Sequence, residues 1–523
     1  MKAKSRTSKT FGKLLALTLT LSMVIAASAT PLTFAKGVSN GNEYVKAIPI
    51  YDTLAEAQAA AAELNEELTG EGSVLLKNNG ALPFAKGTTI TVFGSAATSL
   101  QGGSGRVDTV LRDAGFTVNS TVVTESNYAR TDDADIRKYG NAAVVVLKRG
   151  GSEGSDLSVR TNEEANDAEE NVGGWEHVRL ATNNGKEYKH NQMLTSSELG
   201  LIEKAKATCD QVVVLLNTSN AMEMYNLEHD AGIDAIMFIG RPGANGVKAI
   251  GKLLKGTINP SGKTADIWYR DFTADPTWYN SIANIQNDAG SNSYVTPSGS
   301  ASANLHGVDY EEDIYLGYGY YESVYAEILE GRLSYDGAKL TKAAPANAQA
   351  EAEAWYADNV VYPFGYGLSY SEFEVSNVKL SRDELKAEEI SSSLADGPAA
   401  IKTMTVYATV TNVGGYAGKH VVEVYSKAPY DPAAGVEKLA VKLVGYAKTD
   451  MLAPGASQRL AITINVQDLA YYSDSTAHDA VLGAYVLDAG DYMLYATSDS
   501  HCYNSDDGAG FTVDAKAVMG LDD

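Results

Sequence analysis

The chain has 523 residues, enough for about two to four domains of ordinary size. It carries 42 Lys and Arg against 66 Asp and Glu, and the resulting net charge of −24 argues against a nucleic-acid ligand, because phosphate binding requires clustered cations. A hydrophobic content of 44% excludes a disordered chain. The only cysteines, Cys209 and Cys502, are too far apart in the sequence for a disulfide framework or a cysteine-based zinc site.

The first 35 residues have the layout of a secretory signal peptide. Residues 1–13 contain five cations and no acid, residues 14–29 are apolar, and small residues at 27–29 and 33–35 offer cleavage sites. The alternative is a retained membrane anchor, although the apolar run is shorter than the roughly 20 residues of a helical span. We therefore expect a secreted or cell-surface protein that contacts a membrane only if this segment is uncleaved.

Apolar runs that predict strands alternate with amphipathic segments that predict helices, after an alanine- and glutamate-rich helix at residues 51–68. The predicted strands are 90–93, 143–147, 212–216, 235–239 and 265–268, with a weaker one near 116–123. The predicted helices are 107–114, 196–209, 220–230 and 245–254. This alternation is typical of an α/β fold with a six-stranded, mostly parallel sheet between helices. Ligands of such sheets bind beyond the carboxyl ends of the strands.

The pattern changes after about residue 370, where apolar and polar residues alternate. Predicted strands at 404–411, 420–426, 441–446, 458–465 and 491–497 are separated by glycine- and proline-containing turns. Short alternating strands at this spacing predict an all-β sandwich. The alanine-rich stretch at 338–354 is predicted to be an excursion on the surface.

The sequence contains none of the common cofactor, phosphate or metal motifs. It lacks a dinucleotide-binding glycine pattern, a Walker loop, a GxSxG elbow and an HExxH helix, and its seven histidines do not fall at metal-ligand spacing. We therefore expect no cofactor and no metal.

Glu153 is the strongest candidate for a catalytic residue. It lies in the sequence RGGSEGSD at residues 149–156, directly after the predicted strand 143–147. The glycines let the backbone turn and expose the carboxyl group in a cleft. A carboxylic acid there can protonate a leaving oxygen, provided that its pKa is raised. The residues alone leave open that Glu153 is an ordinary solvated glutamate of an acidic protein.

Two further segments are candidates for ligand contact. Gly102, Gly103 and Ser104 follow the first predicted strand, and they serve either as a backbone that approaches a ligand closely or as a flexible turn. Residues 309–321 are dense in acidic and tyrosine side chains. That composition suits either the lining of a sugar site or a packed seam between domains.

Together these segments resemble glycoside hydrolase family 3, the family of β-glucosidases and β-xylosidases. Residues 71–78 and 81–83, the GGSG loop at 102–105, the loop at 149–156 and the turns at 242–246 and 259–263 are similar to its α/β sandwich domain. Residues 310–321 and 362–370 resemble its bridge into a fibronectin type III-like domain, and residues 411–414, 417–419 and 468–472 resemble that domain. The likeness spans about residues 60–515.

The resemblance implies a domain organisation and a set of site residues. After the signal peptide (1–35) we expect a helical lead-in (36–74), a family 3 C-terminal-type α/β domain (75–330), an insertion and linker (331–372), a fibronectin type III-like domain (373–515) and a tail (516–523). The resemblance makes Glu153 the general acid/base. It implies that Arg149, Asp156, Gly102, Gly103 and Ser104 contact the substrate.

The chain departs from the family in one respect. The family's nucleophilic aspartate lies on a TIM barrel, which needs about 250 residues, and the domains above leave no such stretch. The chain resembles the front part of a permuted arrangement in which the barrel comes last.

We therefore expect the acid/base-bearing half of a retaining β-glucosidase-type hydrolase that acts on a β-linked oligosaccharide or glycoside. It is expected to be inactive without a separate TIM-barrel polypeptide. The alternative is a non-catalytic extracellular carbohydrate-binding or accessory protein. A third and weaker hypothesis, an unrelated α/β hydrolase, is disfavoured because the sequence has no nucleophile elbow.

Overall fold

The computed structural model describes residues 51–151, 192–279, 312–390, 401–473, 483–503 and 508–519. The chain divides into two compact units, residues 1–58 and residues 59–523. The helices of the described ranges are α1 (Leu54–Gly72), α2 (Val107–Asp113), α3 (Asp133–Arg137), α4 (Ser196–Thr208), α5 (Tyr225–His229), α6 (Gly243–Leu254), α7 (Pro276–Tyr279), α8 (Tyr318–Leu329), α9 (Ala348–Asn359) and α10 (Ala387–Ile390).

The same ranges contain the strands β1 to β21. The first ten are β1 (Val74–Asn78), β2 (Thr89–Phe93), β3 (Thr117–Val118), β4 (Ala142–Lys148), β5 (Val212–Asn217), β6 (Ala235–Phe238), β7 (Trp268–Tyr269), β8 (Ser334–Tyr335), β9 (Leu340–Thr341) and β10 (Val360–Tyr362). The remainder are β11 (Phe373–Leu380), β12 (Glu384–Leu385), β13 (Thr403–Asn412), β14 (Val421–Lys427), β15 (Lys442–Lys448), β16 (Ser457–Asn465), β17 (Tyr471–Ser473), β18 (Ala484–Leu487), β19 (Gly490–Thr497), β20 (Gly508–Val513) and β21 (Ala517–Met519).

A six-stranded sheet with the order β1-β6-β5-β4-β2-β3 forms the centre of the first domain. All neighbouring strands are parallel except β1, which runs antiparallel to β6 at one edge. The runs AAVVVLK and VVVLLN of β4 and β5 are apolar up to their last residue because helices cover both faces of the sheet. The predicted α/β class is thus confirmed.

Each face of the sheet has its own core. Along β4, Val144 and Val146 belong to a core shared with α2 and α6, whereas Val145 and Leu147 belong to a core shared with α3, α4 and α5. This alternation follows from the period of two in a strand. The two faces are therefore packed, and ligands must be sought at the ends of the strands.

Two predicted elements of this domain are wrong. The apolar run at 265–268 does not join the large sheet: β7 pairs only with β10, and the sixth place is taken by β1. The helix predicted at 220–230 is reduced to α5. The hydroxyl of Thr218 forms a local turn instead: it donates to the carbonyl and side-chain oxygens of Asn220 and accepts from the N–H of Asn220.

Most residues of the stretch at 338–354 are exposed, and its last part begins helix α9. Asn347 caps α9, its side chain accepting a hydrogen bond from the backbone N–H of Ala350. Ala352, Trp355 and Tyr356 are buried with residues of α8 in a separate core. Alanine-rich composition thus produced a packed helix, as its high helix propensity allows.

The second domain consists of three small sheets around one core. Their orders are β11-β13-β16, β12-β20-β19-β14-β15 and β17-β18-β21, and the alternating residues of β13 and β16 point into the core. The all-β sandwich is confirmed, and the sheets of the described residues close no barrel. In the described ranges, no helix combines the length and hydrophobicity that a membrane span requires.

The aromatic segment at the start of α8 forms part of the seam between the domains. The hydroxyl of Tyr318 accepts a hydrogen bond from the N–H of Leu443 at 2.9 Å, and its ring packs against Phe364 and Tyr425. Tyr318 therefore lies in a packed seam between the domains, which was one of the two hypotheses for residues 309–321. Residues 309–311 lie outside the described ranges.

Candidate functional site

The candidate site lies where the parallel strands end. β2, β4, β5 and β6 all finish at the same edge of the sheet, and the loops that follow them meet there.

Asn217, the last residue of β5, ties three of these loops together. Its side-chain oxygen accepts from the N–H of Gln101 at 2.5 Å, and its amide donates to the carbonyls of Gln101 at 3.1 Å and Gly240 at 2.7 Å. Its own carbonyl accepts from the N–H of Arg149 at 3.2 Å. Asn217 is fully buried, so each of these bonds replaces one to water. Asn217 was not among the predicted site residues, although a polar residue at the end of an apolar run is a visible sequence signal.

The glycines of the 102–105 loop are required by close packing. Gly102 has a φ of +62°, and its carbonyl accepts from the N–H of Gly243 at 2.7 Å. A Cβ on Gly105 would overlap the side chain of Val247 on α6. The loop is therefore a fixed turn, with Gly102 and Ser104 exposed at its tip and Gly103 bridged to Gly243.

Arg149 follows β4 and is only 8% exposed. Its guanidinium donates to both carboxylate oxygens of Glu198, at 2.7 and 2.8 Å, and to the carbonyl of Met193 at 2.6 Å. Glu198 also closes the capping box of α4 with Thr195. The side chain of Arg149 thus anchors its loop to α4; substrate contact by Arg149 stays a prediction.

The pKa of Glu198 reflects this pairing. Burial alone raises the pKa of a carboxyl group, but the charge and hydrogen bonds of Arg149, together with the bonds from Thr195, outweigh it and lower the pKa. Glu198 is therefore ionised throughout the neutral range, and the pair is a charged, bidentate one.

The next residues of the same loop lie against the 101–105 turn. A Cβ on Gly150 would be 2.5 Å from the side-chain carbon Cδ of Gln101, and the carbonyl of Gly151 accepts a hydrogen bond from Arg241. Lys148 donates to the carbonyl of Ser99 at 3.0 Å. Arg241 was not predicted, although it stands in the turn GRPGAN directly after β6.

The predicted catalytic Glu153 and the predicted ligand Asp156 lie outside the described residues. In the described part of the edge, Gly102, Ser104 and Arg241 lie around residues 149–151. That loop leads along the chain to Glu153 and Asp156. An exposed hydroxyl and a guanidinium at such an edge can hydrogen-bond to a hydroxyl-rich ligand. In the described ranges, no cluster of three or more His, Cys, Asp or Glu side chains is arranged to hold a metal ion.

Two family models match the chain in the order of its domains. Residues 73–318 match the glycosyl hydrolase family 3 C-terminal domain, and residues 420–500 match a fibronectin type III-like domain. The sheet β1-β6-β5-β4-β2-β3 lies within the first match, and β14 and β15 lie within the second.

Curated relatives and solved structures are similar along most of the chain. β-Glucosidase A of Butyrivibrio fibrisolvens is 28% identical over 83% of this chain, and a β-glucosidase of Ruminococcus albus is 27% identical over 87%. β-Glucosidase 3B from Thermotoga neapolitana superposes with a TM-score of 0.61 over 90% of the chain at 23% identity, a likeness of fold.

These matches cover 49% and 41% of the two relatives and 56% of the solved chain, so this chain spans about half of their length. The chain therefore carries a glycosyl hydrolase family 3 C-terminal α/β domain followed by a fibronectin type III-like domain.

Proposed function

We propose that this chain is the acid/base-bearing half of a retaining β-glucosidase-type glycoside hydrolase, with Glu153 as the acid/base. The observation that carries the proposal is the packing of Gly150 and Gly151 against Gln101 and Arg241 at the carboxyl edge of the sheet. The names of the relatives, β-glucosidases, support the reaction class.

The short stretch of chain between Gly151 and Glu153 links the packing of Gly150 and Gly151 to Glu153. Glu153 is two residues further along the chain than Gly151, and two residues of extended chain span about 7 Å at most. The anchored part of the loop is held twice, by the Arg149–Glu198 pair on one side and by Arg241 on the other.

The proposed chemistry has two steps. In the first, the protonated carboxyl group of Glu153 donates its proton to the glycosidic oxygen while a second carboxylate attacks the anomeric carbon. In the second, the carboxylate of Glu153 takes a proton from water, which attacks the glycosyl-enzyme and releases the sugar. Ser104 and Arg241, exposed at the same edge, are proposed to hydrogen-bond to sugar hydroxyls.

Retention of configuration requires the two carboxyl groups to lie about 5 Å apart on opposite faces of the sugar. We propose that the second one comes from a separate barrel polypeptide and that the substrate is a β-linked oligosaccharide or glycoside. We further propose that the signal-peptide-like residues 1–35 direct export of the chain, so that the reaction takes place outside the cell.

The test is a mixing experiment with an aryl β-glucoside and an aryl β-xyloside. The chain alone is expected to show no turnover, because acid catalysis contributes only about 10²–10⁴-fold of the 10⁶–10¹⁷-fold of a typical enzyme. Addition of a family 3 barrel polypeptide is expected to restore hydrolysis to the wild-type chain and not to Glu153→Ala. Glu125→Gln, at a second carboxylate of the same edge, is the matched control and should keep activity.

Two outcomes contradict the proposal. Hydrolysis by the chain alone means that it contains its own nucleophile, and equal activity of Glu153→Ala and wild type in the mixture removes the role of Glu153. Saccharide binding by the chain without hydrolysis in any mixture favours the alternative, a non-catalytic carbohydrate-binding or accessory protein.

A further inference from the structure

A groove of about 570 Å³ lies between the fibronectin type III-like domain and residues 313–314, apart from the carboxyl edge of the large sheet. Its volume falls within the range of about 300–1,000 Å³ that small-molecule sites occupy. Among its lining residues are four tyrosines and two lysines, namely Tyr471, Tyr472, Tyr485, Tyr492, Lys438 and Lys442.

Two of the tyrosines form an aromatic pair at the groove, of which Tyr472 is exposed and Tyr485 is half-buried. Tyr472 of β17 and Tyr485 of β18 are direct cross-strand partners, and their ring centroids lie 5.4 Å apart with an interplanar angle of 69°. Tyr472 is 48% exposed. Among the described residues neither hydroxyl has a hydrogen-bond partner, so both are available to a ligand. Tyrosine rings in this state can stack on a sugar ring while their hydroxyls bond to it.

The two lysines differ in how firmly their ammonium groups are held by neighbouring acceptors. Lys438 is held by Asp488 at 2.6 Å and the carbonyl of Pro429 at 2.8 Å, and it lies 5.2 Å from the ring centre of Tyr471. Lys442 makes a single long hydrogen bond, to the carbonyl of Ala470 at 3.4 Å, and in the described ranges it has no carboxylate partner. Its ammonium group therefore retains donors that face the groove.

The groove is also lined by acidic groups, which bear on the charge of its ligand. Asp313 and Glu437 line it, and Glu437 already accepts hydrogen bonds from Tyr315 and Tyr430. Donors and acceptors thus both face the groove, which suits a neutral molecule with many hydroxyls. An anionic ligand would meet two carboxylates as well as Lys442.

We propose that this groove is a carbohydrate-binding site for a neutral oligosaccharide, with Tyr472 and Tyr485 as the stacking platform and Lys442 as a hydrogen-bond donor. The site does not depend on catalysis at the carboxyl edge. It would hold the chain on a polysaccharide whether or not Glu153 acts on it.

The test is calorimetric titration of the full chain with cellotetraose, xylotetraose and, as an acidic comparison, tetragalacturonate. The wild type is expected to bind a neutral tetrasaccharide. Tyr472→Ala combined with Tyr485→Ala should weaken that binding about tenfold or more, because both rings that contact the sugar are lost. Replacement of both residues by Phe should weaken it less, because the rings remain.

Two control variants distinguish binding in the groove from binding elsewhere on the chain. Tyr446→Ala and Tyr416→Ala each remove an exposed tyrosine that lies outside the groove, and both variants should bind as the wild type does. The proposal is overturned if no neutral tetrasaccharide binds, if tetragalacturonate binds more tightly, or if the double Ala variant binds normally. Circular dichroism of each variant establishes that it is folded.

Discussion

The Arg149–Glu198 pair determines where the loop after β4 begins. Both side chains are at least 90% buried, and the bidentate bond at 2.7 and 2.8 Å compensates for the loss of water around two charges. Removing the carboxylate takes away the bidentate partner of a buried guanidinium, which costs far more than the pair contributes.

Glu198→Gln is therefore expected to lower the free energy of unfolding by about 3–5 kcal/mol, measured by urea denaturation at pH 7. Glu203→Gln, on the same helix, removes an exposed pairing with Lys206 and should cost less than about 1 kcal/mol. Equal effects of the two variants would mean that the buried pair has no special role.

The difference in unfolding free energy between the wild type and Glu198→Gln should depend on pH in one direction. The pKa of Glu198 is lowered on folding, so its contribution to stability is present above the unfolded value of about 4.3 and is lost as the pH falls through the folded pKa. The gap in stability between wild type and Glu198→Gln should thus shrink below about pH 4.3. A gap that widens on acidification would contradict the assignment.

Asn217 provides the second test at the edge. Asn217→Ala leaves the N–H and carbonyl of Gln101 and the carbonyl of Gly240 without their buried partner, which costs on the order of 2–3 kcal/mol. Hydrogen exchange of the Gln101 amide should become faster in the variant. Asn141→Ala, which removes exposed bonds to Thr89, is the control and should leave that amide as protected as before.

The contact between α1 and α6 depends on Gly246. A Cβ at Gly246 would overlap the side-chain oxygen of Thr69, which itself donates to the carbonyl of Pro242. Alanine is the better helix former by about 1 kcal/mol, but a short, hydrogen-bonded threonine cannot move away.

Gly246→Ala should therefore destabilise the protein by about 1–3 kcal/mol despite the helix propensity of alanine. Gly72→Ala, where the added methyl group meets no atom within 4 Å, should be neutral or slightly stabilising. Thermal unfolding of both variants gives the comparison, and a stabilised Gly246→Ala would show that the helices can separate at little cost.

The elements that were predicted correctly are those with strong local signals. β4 and β5 are continuous apolar runs, and the structure moves their predicted ends by one residue at most. β1 was missed because VLLKN is short and follows directly on α1, and its place in the sheet is set by pairing with β6. Local pattern identifies a buried strand, but it does not identify the partner.

The candidate site was predicted in outline only. The convergence of the 102–104 and 149–151 loops followed from the rule that parallel strands end at one edge. The partner of Arg149 did not follow, because Glu198 is 49 residues away in the sequence and only the fold brings them together. Arg241 was missed for the same reason: its bond to Gly151 spans 90 residues.

Across the seam between the domains, Glu423 of β14 is buried beside charges from both. Burial raises its pKa to about 7, while the hydroxyl of Tyr425 and the charge of Lys263 act to lower it and the charge of Asp499 acts to raise it. A carboxyl group that holds its proton more tightly when folded stabilises the fold fully below the unfolded pKa of about 4.3. That stability is lost as the pH rises through about 7.

The unfolding free energy of the wild type relative to Glu423→Gln should therefore fall by on the order of 2–3 kcal/mol between pH 5 and pH 8. The exposed control Glu384→Gln should show no such pH-dependent difference. If the difference for Glu423→Gln is flat across this range, the carboxyl group is not held protonated at the seam.

The role of Glu153 is tested most directly by how hydrolysis depends on the leaving group. With the chain and a barrel polypeptide mixed, Glu153→Ala should reduce kcat/KM for cellobiose by about 10²–10⁴-fold, since its leaving group needs a proton. The first step of 2,4-dinitrophenyl β-glucoside hydrolysis, whose leaving group does not need one, should be nearly unaffected. Equal losses on both substrates, or none on either, would contradict general acid catalysis by Glu153.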